Sequence, residues 1–169
     1  SESLYEWYRR FWHSYGAILP ERFPFLNERN QPSTAKSALI VPHSGSENKN
    51  WPVKHYLELA CSLRKIGFTV SWLLPHESTA YDIPSYQIPK GIEAVQTQTW
   101  CDTFNLIDSS FFIVTNDSSP MHIAAAQEKR VVGIFTRSAK SIWFPYDSMK
   151  VAAMGSGNFE RPEGKWMPT

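Results

Sequence analysis

Two segments of this chain carry residues whose types and spacing suit the binding of an anion. The first, residues 42–52, reads PHSGSENKNWP. Ser44, Gly45 and Ser46 are small, Lys49 is a cation, and Pro52 suits the start of a helix. Gly45 would let backbone approach an anion closely, the serines can donate hydrogen bonds, and Lys49 adds a compact positive charge. A helix beginning at Pro52 would add the positive end of its dipole. Neither the G-x-x-x-x-G-K-[ST] phosphate loop nor the G-x-G-x-x-G dinucleotide fingerprint is present, so the residues fit either a phosphate cradle or an ordinary polar loop between a strand and a helix.

The second segment, residues 115–126, reads TNDSSPMHIAAA. Asp117, Ser118 and Ser119 are good N-cap types, Pro120 is tolerated in a first helical turn, and the small residues at 124–126 allow close helix packing. His122 falls one turn in, where its imidazole can face the same crevice as the first loop. The same residues fit a capped helix start with nothing bound and a structural histidine. Both segments together, at corresponding ends of two strands, favour a shared anion site. Other chemistries find less support. The five histidines (His13, His43, His55, His76, His122) show no H-x-x-x-H or Cys/His metal spacing, and no D-x-D pair occurs, so no metal site is expected. Ser118 near His122 reads as a helix cap rather than as part of a nucleophilic triad.

These segments need elements to hold them. Short apolar or β-branched runs at 38–42, 68–74, 92–96, 111–115, 131–135 and 150–153 read as strands buried on both faces of a parallel sheet. Between them, Val53, Tyr56, Leu57, Ala60 and Leu63 form one helical face and Trp100, Phe104 and Ile107 another; a short Ala-rich helix covers 121–127. Thr99 and Asp102 resemble a capping box. Alternating strands and helices with right-handed crossovers predict an α/β, doubly wound parallel sheet of the Rossmann-like kind. Such sheets bind ligands beyond the carboxyl ends of their strands, where both loops fall.

Composition narrows the classes. Seventeen Lys and Arg against sixteen Asp and Glu leave a formal charge of +1, which argues against nucleic-acid binding and a polybasic membrane anchor. No apolar run approaches the ~20 residues of a membrane-spanning helix. The opening residues do not read as a signal peptide, and Cys61 and Cys101 suggest no disulfide framework, so a reducing cytoplasm is expected. At 169 residues the chain is one domain, or half of a two-domain protein. Seven Trp, seven Tyr and ten Phe are unevenly spread, with eight aromatics in the first 26 residues. Leu4, Trp7, Tyr8, Phe11, Trp12, Tyr15, Ile18 and Leu19 give an amphipathic helix, followed by a proline-broken connector over 20–36. That aromatic arm either packs on its own domain or docks against something outside this chain.

The pair HSGSENKNWP (43–52) and NDSSPMHIAAAQEKRVVGIFT (116–136) resembles the ADP-heptose:lipopolysaccharide heptosyltransferases and their relatives in the family-nine glycosyltransferases. Those enzymes carry an H-x-G-[ST]-x-x-K-x-W-P-like loop and a D-[ST]-G-P-x-H-x-A-A-A signature. TWCDTFNLIDSSFFIVTND (99–117) and SIWFPYD (141–147) are similar to further family stretches, so that the likeness runs from about Ala38 to Ala153.

The resemblance implies the carboxyl-terminal half of a GT-B glycosyltransferase. Residues 1–36 would form the aromatic helix and interdomain linker, and 37–169 the nucleotide-sugar-binding domain. It further implies an inverting, metal-independent transfer from a nucleotide-diphosphate sugar, ADP-heptose foremost, with no other cofactor. An amino-terminal domain outside this chain would bring the lipid-linked saccharide acceptor and the general base, at the inner face of the bacterial inner membrane. By the same resemblance Ser44, Gly45 and Ser46 hold the diphosphate, and Lys49 neutralises the departing nucleoside diphosphate. Asp117, Ser118, Ser119, Pro120 and His122 contact sugar and phosphates, and Glu77 sits where the family has a ribose-binding acid. Ser119 stands where the family usually has glycine; a side chain there would crowd the diphosphate or alter the helix entry, so that the donor could differ from ADP-heptose. A non-catalytic nucleotide-sugar-binding module and a GT-B-like sugar-nucleotide epimerase remain as alternatives.

Overall fold

The computed structural model describes residues 36–75, 87–136 and 151–154, together with Arg10, His13 and Ser14, which lie in helical backbone. The rest of the arm and linker expected over 1–36 lies outside the described residues, as do Glu77 and the 141–147 stretch.

Among the described residues six strands form one parallel sheet: β1 (Ser37–Val41), β2 (Thr69–Leu73), β3 (Ile92–Val95), β4 (Phe112–Asn116), β5 (Arg130–Ile134) and β6 (Val151–Met154). Each begins and ends within one residue of its expected position. They line up in the order β3-β2-β1-β4-β5-β6. The chain thus builds outward from β1 to β3, then returns to the other side of β1, setting Val41 beside Thr115.

The continuous apolar runs have a simple cause, because both faces of the sheet are covered. Ala38 and Ile40 of β1 pack with Val70 and Trp72 of β2 against Tyr56 and Ala60 of helix α1 (Val53–Lys65). Leu39 and Val41 point the other way. They join Ile107 of helix α2 (Trp100–Ser109), Met121 and Ala124 of helix α3 (Ser119–Ala126), and Ile113 and Val131 of the sheet. Leu39, Ile40, Val41, Tyr56, Val70 and Ile113 are completely buried; burial on this scale contributes about 1.5–3 kcal/mol per large side chain. Strand β3, at one end of the row, instead exposes Glu93 and Ala94.

Helix ends follow local chemistry. α1 stops at a Schellman motif: the N–H of Phe68 donates to Leu63 O at 3.0 Å and that of Gly67 to Arg64 O at 3.0 Å. The motif needs a left-handed residue, and Gly67 supplies it with φ +90°. α2 starts with the expected capping box, in which Asp102 N–H donates to Thr99 Oγ1 at 3.2 Å and Thr99 N–H to Asp102 Oδ2 at 2.8 Å. None of the described helices is long and apolar enough to cross a membrane.

The capping box gives a stability test. Asp102's carboxyl is held below its ordinary range, first by the hydrogen bond from the Thr99 side chain and then by the Thr99 backbone N–H. A folded-state pKa lowered in this way contributes stability above the unfolded carboxylate pKa of about 4 and loses it as the pH falls through the folded value. Thr99→Ala should cost about 1 kcal/mol in denaturant unfolding at neutral pH. The gap from wild type should narrow once the carboxylate is protonated; a gap constant with pH would contradict this account.

Candidate functional site

The two anion-suited loops leave adjacent strands at the point where the strand order reverses. The β1–α1 loop starts beyond Val41 and the β4–α3 loop beyond Asn116, and helices α1 and α3 depart to opposite faces of the sheet. That arrangement opens a crevice at the carboxyl edge, with two helix N-termini pointing into it. The β1–α1 loop contains one 3₁₀ turn, Glu47–Lys49, closed by Lys49 N–H to Ser46 O at 3.0 Å and Asn50 N–H to Glu47 O at 2.9 Å. That turn swings Lys49 back towards β4.

Lys49 meets Asp117 there, Nζ to Oδ2 at 2.9 Å. The pair is asymmetric, since the Asp117 side chain is 3% exposed and that of Lys49 37%. Asp117 directly precedes the N-cap of α3, where the helix dipole also favours a negative charge. Its backbone N–H is spent on Ile134 O of β5 at 3.2 Å. Lys49 is therefore not a lone cation waiting for a ligand, but a member of an ion pair, its side chain only partly exposed. The partner carboxylate is buried and costly to leave unpaired.

His122 lies within reach of both charges. Although its side chain keeps exposed surface, loss of water around the ring pushes its pKa below the ordinary histidine value. Lys49 acts in the same direction and Asp117 opposes it. The imidazole is consequently neutral at physiological pH, able both to donate and to accept a hydrogen bond.

Ser118 departs from its expected role. It occupies the N-cap position of α3 but makes no side-chain capping bond among the described residues. Its hydroxyl turns back instead, 3.1 Å from Thr115 Oγ1 and 3.3 Å from Asn116 O. Pro120 sits in the first turn as expected, and Ser119, beside it, is exposed. α3 rests closely on β5 because position 133 is glycine: a Cβ there would lie 2.6 Å from Met121 Sδ.

In the other loop, Gly45 and Ser46 are exposed and Ser44 is half-buried. Ser44 Oγ lies 2.8 Å from both Asn50 Oδ1 and Ser46 O, so its one proton is used inside the loop. A Cβ on Gly45 would meet nothing within 4 Å among the described residues. None of the described residues therefore requires glycine at this position.

One residue absent from the expected set organises the rest. Asn116, the last residue of β4, is fully buried. Its Oδ1 accepts from Trp51 N–H at 2.9 Å and from the Tyr56 hydroxyl at 2.9 Å. Its Nδ2 donates to Pro42 O at 2.9 Å and to Asn50 Oδ1 at 3.3 Å. Burial pushes the Tyr56 hydroxyl pKa far up, so that group stays protonated and a donor. Only the N-D-S-S string hinted at Asn116, where an amide reads as a turn residue. No group of three His, Cys, Asp or Glu that could hold a metal ion occurs among the described residues.

The family model for glycosyltransferase family 9 (heptosyltransferase) matches residues 21–165. The chain belongs to this family. No curated protein matches it. Among solved structures, the family 9 chain is similar to Escherichia coli heptosyltransferase WaaC with ADP-2-deoxy-2-fluoro heptose, at 17% identity and TM-score 0.66, over 89% of this chain and 48% of that one. It is also similar to a family 9 glycosyltransferase from Veillonella parvula (17%, TM-score 0.61, 92% and 42%) and to E. coli ADP-heptose lps heptosyltransferase II (23%, TM-score 0.57, 91% and 44%). These likenesses establish a Rossmann-like α/β fold shared with part of the GT-B heptosyltransferases. The family 9 chain spans less than half the length of each of these proteins.

The electrostatics can be read at His122 by NMR titration of the folded chain. Its midpoint should lie below that of an unfolded histidine. Lys49→Ala should raise it and Asp117→Asn lower it further; shifts in the opposite directions would show that the three groups are not coupled as described. Because the folded pKa is depressed, the contribution of His122 to stability is present above about pH 6.5 and is lost as the pH falls through the folded value.

Proposed function

We propose that this chain is the donor-binding, carboxyl-terminal part of an inverting glycosyltransferase that uses a nucleotide-diphosphate sugar, ADP-heptose foremost. The observation that carries this reading is the Lys49–Asp117 ion pair between two helix N-termini at the sheet's reversal point, near enough to His122 for both charges to act on its imidazole, in a chain of family 9. The similar structures include heptosyltransferase WaaC solved with ADP and with an ADP-fluoroheptose.

In this reading the diphosphate lies across the crevice. Gly45 and Ser46 approach it from one side, and Ser118, Ser119 and the start of α3 from the other. His122 and Asp117 offer hydrogen-bonding groups to sugar hydroxyls, and Glu77 belongs with the ribose. An acceptor hydroxyl attacks the anomeric carbon while the bond to the diphosphate oxygen breaks. Negative charge builds on that oxygen, and Lys49 with the helix dipoles stabilises it in place of a metal ion. Transfer belongs to the whole protein, whose amino-terminal part would hold the lipid-linked saccharide and the general base at the cytoplasmic face of the inner membrane. The arm over 1–36 would form the connection to that part. Alone, this chain binds donor and does not catalyse.

Calorimetric titration with ADP, UDP and GDP tests the reading, ADP being expected to bind most tightly. A folded chain that bound none of them at millimolar concentration would sink it. Lys49→Ala should weaken ADP by roughly tenfold to a hundredfold, the worth of a hydrogen bond to a charged group, while leaving adenosine within about twofold. Equal losses would remove Lys49 from the phosphate site. Gly45→Ala should leave the unfolding midpoint unchanged and still weaken ADP, since no described residue lies within 4 Å of the added methyl group and a bound diphosphate would.

A further inference from the structure

We propose that Asn116 is a positioning residue for donor binding: its buried carboxamide ties both ends of the β1–α1 loop to the end of β4 and so holds the Lys49 ammonium at the N-terminus of α3. The consequence for affinity rests on the donor-binding reading above; the consequence for the loop does not.

A carboxamide has two N–H donors and an oxygen with two lone pairs. At Asn116 all four are used, and the four partners come from both ends of one loop and the helix after it. Pro42 opens the loop, Asn50 and Trp51 close it, and Tyr56 lies in the first turn of α1. The orientation of the amide is set by these partners. Reversed, it would turn its NH₂ towards the Trp51 N–H and its oxygen towards the Pro42 carbonyl. Aspartate would lose both donors and place a charge beside a carbonyl, and leucine would satisfy none of the four. In a truncated variant the Tyr56 hydroxyl would be left buried without this partner, and the half-buried Trp51 N–H and Pro42 carbonyl would lose theirs.

Two further ties complete the arrangement. The Thr136 hydroxyl, beyond the end of β5, donates to Asn48 O at 2.9 Å. Ser44 Oγ, 2.8 Å from Asn50 Oδ1, extends the network from Asn116 into the middle of the loop. With its ends pinned, the loop presents Lys49 one residue before Asn50, and Lys49 reaches the residue directly after Asn116. Two consecutive residues at the end of β4 and just beyond it, Asn116 and Asp117, therefore pin the loop and receive its cation. A loop ordered before binding has less conformational freedom left to lose when a ligand arrives.

The test compares Asn116→Ala, Tyr56→Phe, Lys49→Ala and the Asn116→Ala/Lys49→Ala double variant. Without ligand, Asn116→Ala should increase amide hydrogen exchange over residues 44–50 and raise the His122 midpoint towards that of Lys49→Ala. With ligand, it should weaken ADP by roughly tenfold and adenosine by less than about twofold, and the double variant should bind ADP no more weakly than Lys49→Ala alone. An unmoved His122 midpoint, equal losses for ADP and adenosine, or losses that multiply in the double variant would each overturn the proposal and leave Asn116 a residue of general stability. If Asn116→Ala does not fold, Tyr56→Phe carries the test, since it removes one bond of the four. It should weaken ADP about two- to threefold and move the midpoint the same way, and no change in either would overturn the proposal. If the wild type binds no nucleotide at all, the donor reading fails, while loop exchange and the His122 midpoint still decide the role of Asn116.

Discussion

Two neighbouring parallel strands whose following helices leave on opposite faces cannot close over their own carboxyl ends, and in this chain β1 and β4 are that pair. Most of the molecule follows from that constraint. The order β3-β2-β1-β4-β5-β6 places β1 and β4 centrally, so their side chains must be apolar on both faces. Their exits carry the polar residues, because backbone leaving a buried strand still needs partners. Asn116 supplies them, serving the Pro42 carbonyl and the Trp51 N–H from a single side chain.

The charge at the crevice is arranged rather than merely present. Lys49 is matched by a buried carboxylate 2.9 Å away, and the nearby imidazole is kept neutral by lost hydration and by the ammonium itself. Among the described residues Lys49 and Asp117 offset each other and the imidazole is neutral, while two helix N-termini add positive potential. Such a site suits a ligand with negative phosphates and neutral hydroxyls better than a bare multivalent anion, which would meet Asp117 as well as Lys49. Near-neutral net charge of the whole chain accords with a positive potential that is local.

Sequence reading reached some parts of this and missed others for identifiable reasons. Strand runs, the Thr99–Asp102 box and the proline at the start of α3 act over a few residues, and each stands where the sequence put it. Ser118 did not follow its type: it has the right position for a cap, but the hydroxyl of Thr115 and the carbonyl of Asn116 compete for its side chain. Ser44 likewise turned inward once Asn50 was brought within reach. Asn116 was invisible as a functional residue because nothing beside it in the chain marks it; its partners lie 60 to 74 residues away.

The sequence by itself determined the alternation of elements, their burial on both sheet faces, and two loops of suitable chemistry, since periodicity and capping are local properties. The family motifs named the kin of the chain from the same short strings. Only the tertiary structure decided that the loops face each other, that Lys49 is paired across 68 residues with Asp117, and that one buried amide holds the loop. Those facts depend on which strand lies beside β1. Strand order is settled by crossover direction and by two-sided packing, which no window of neighbouring residues contains.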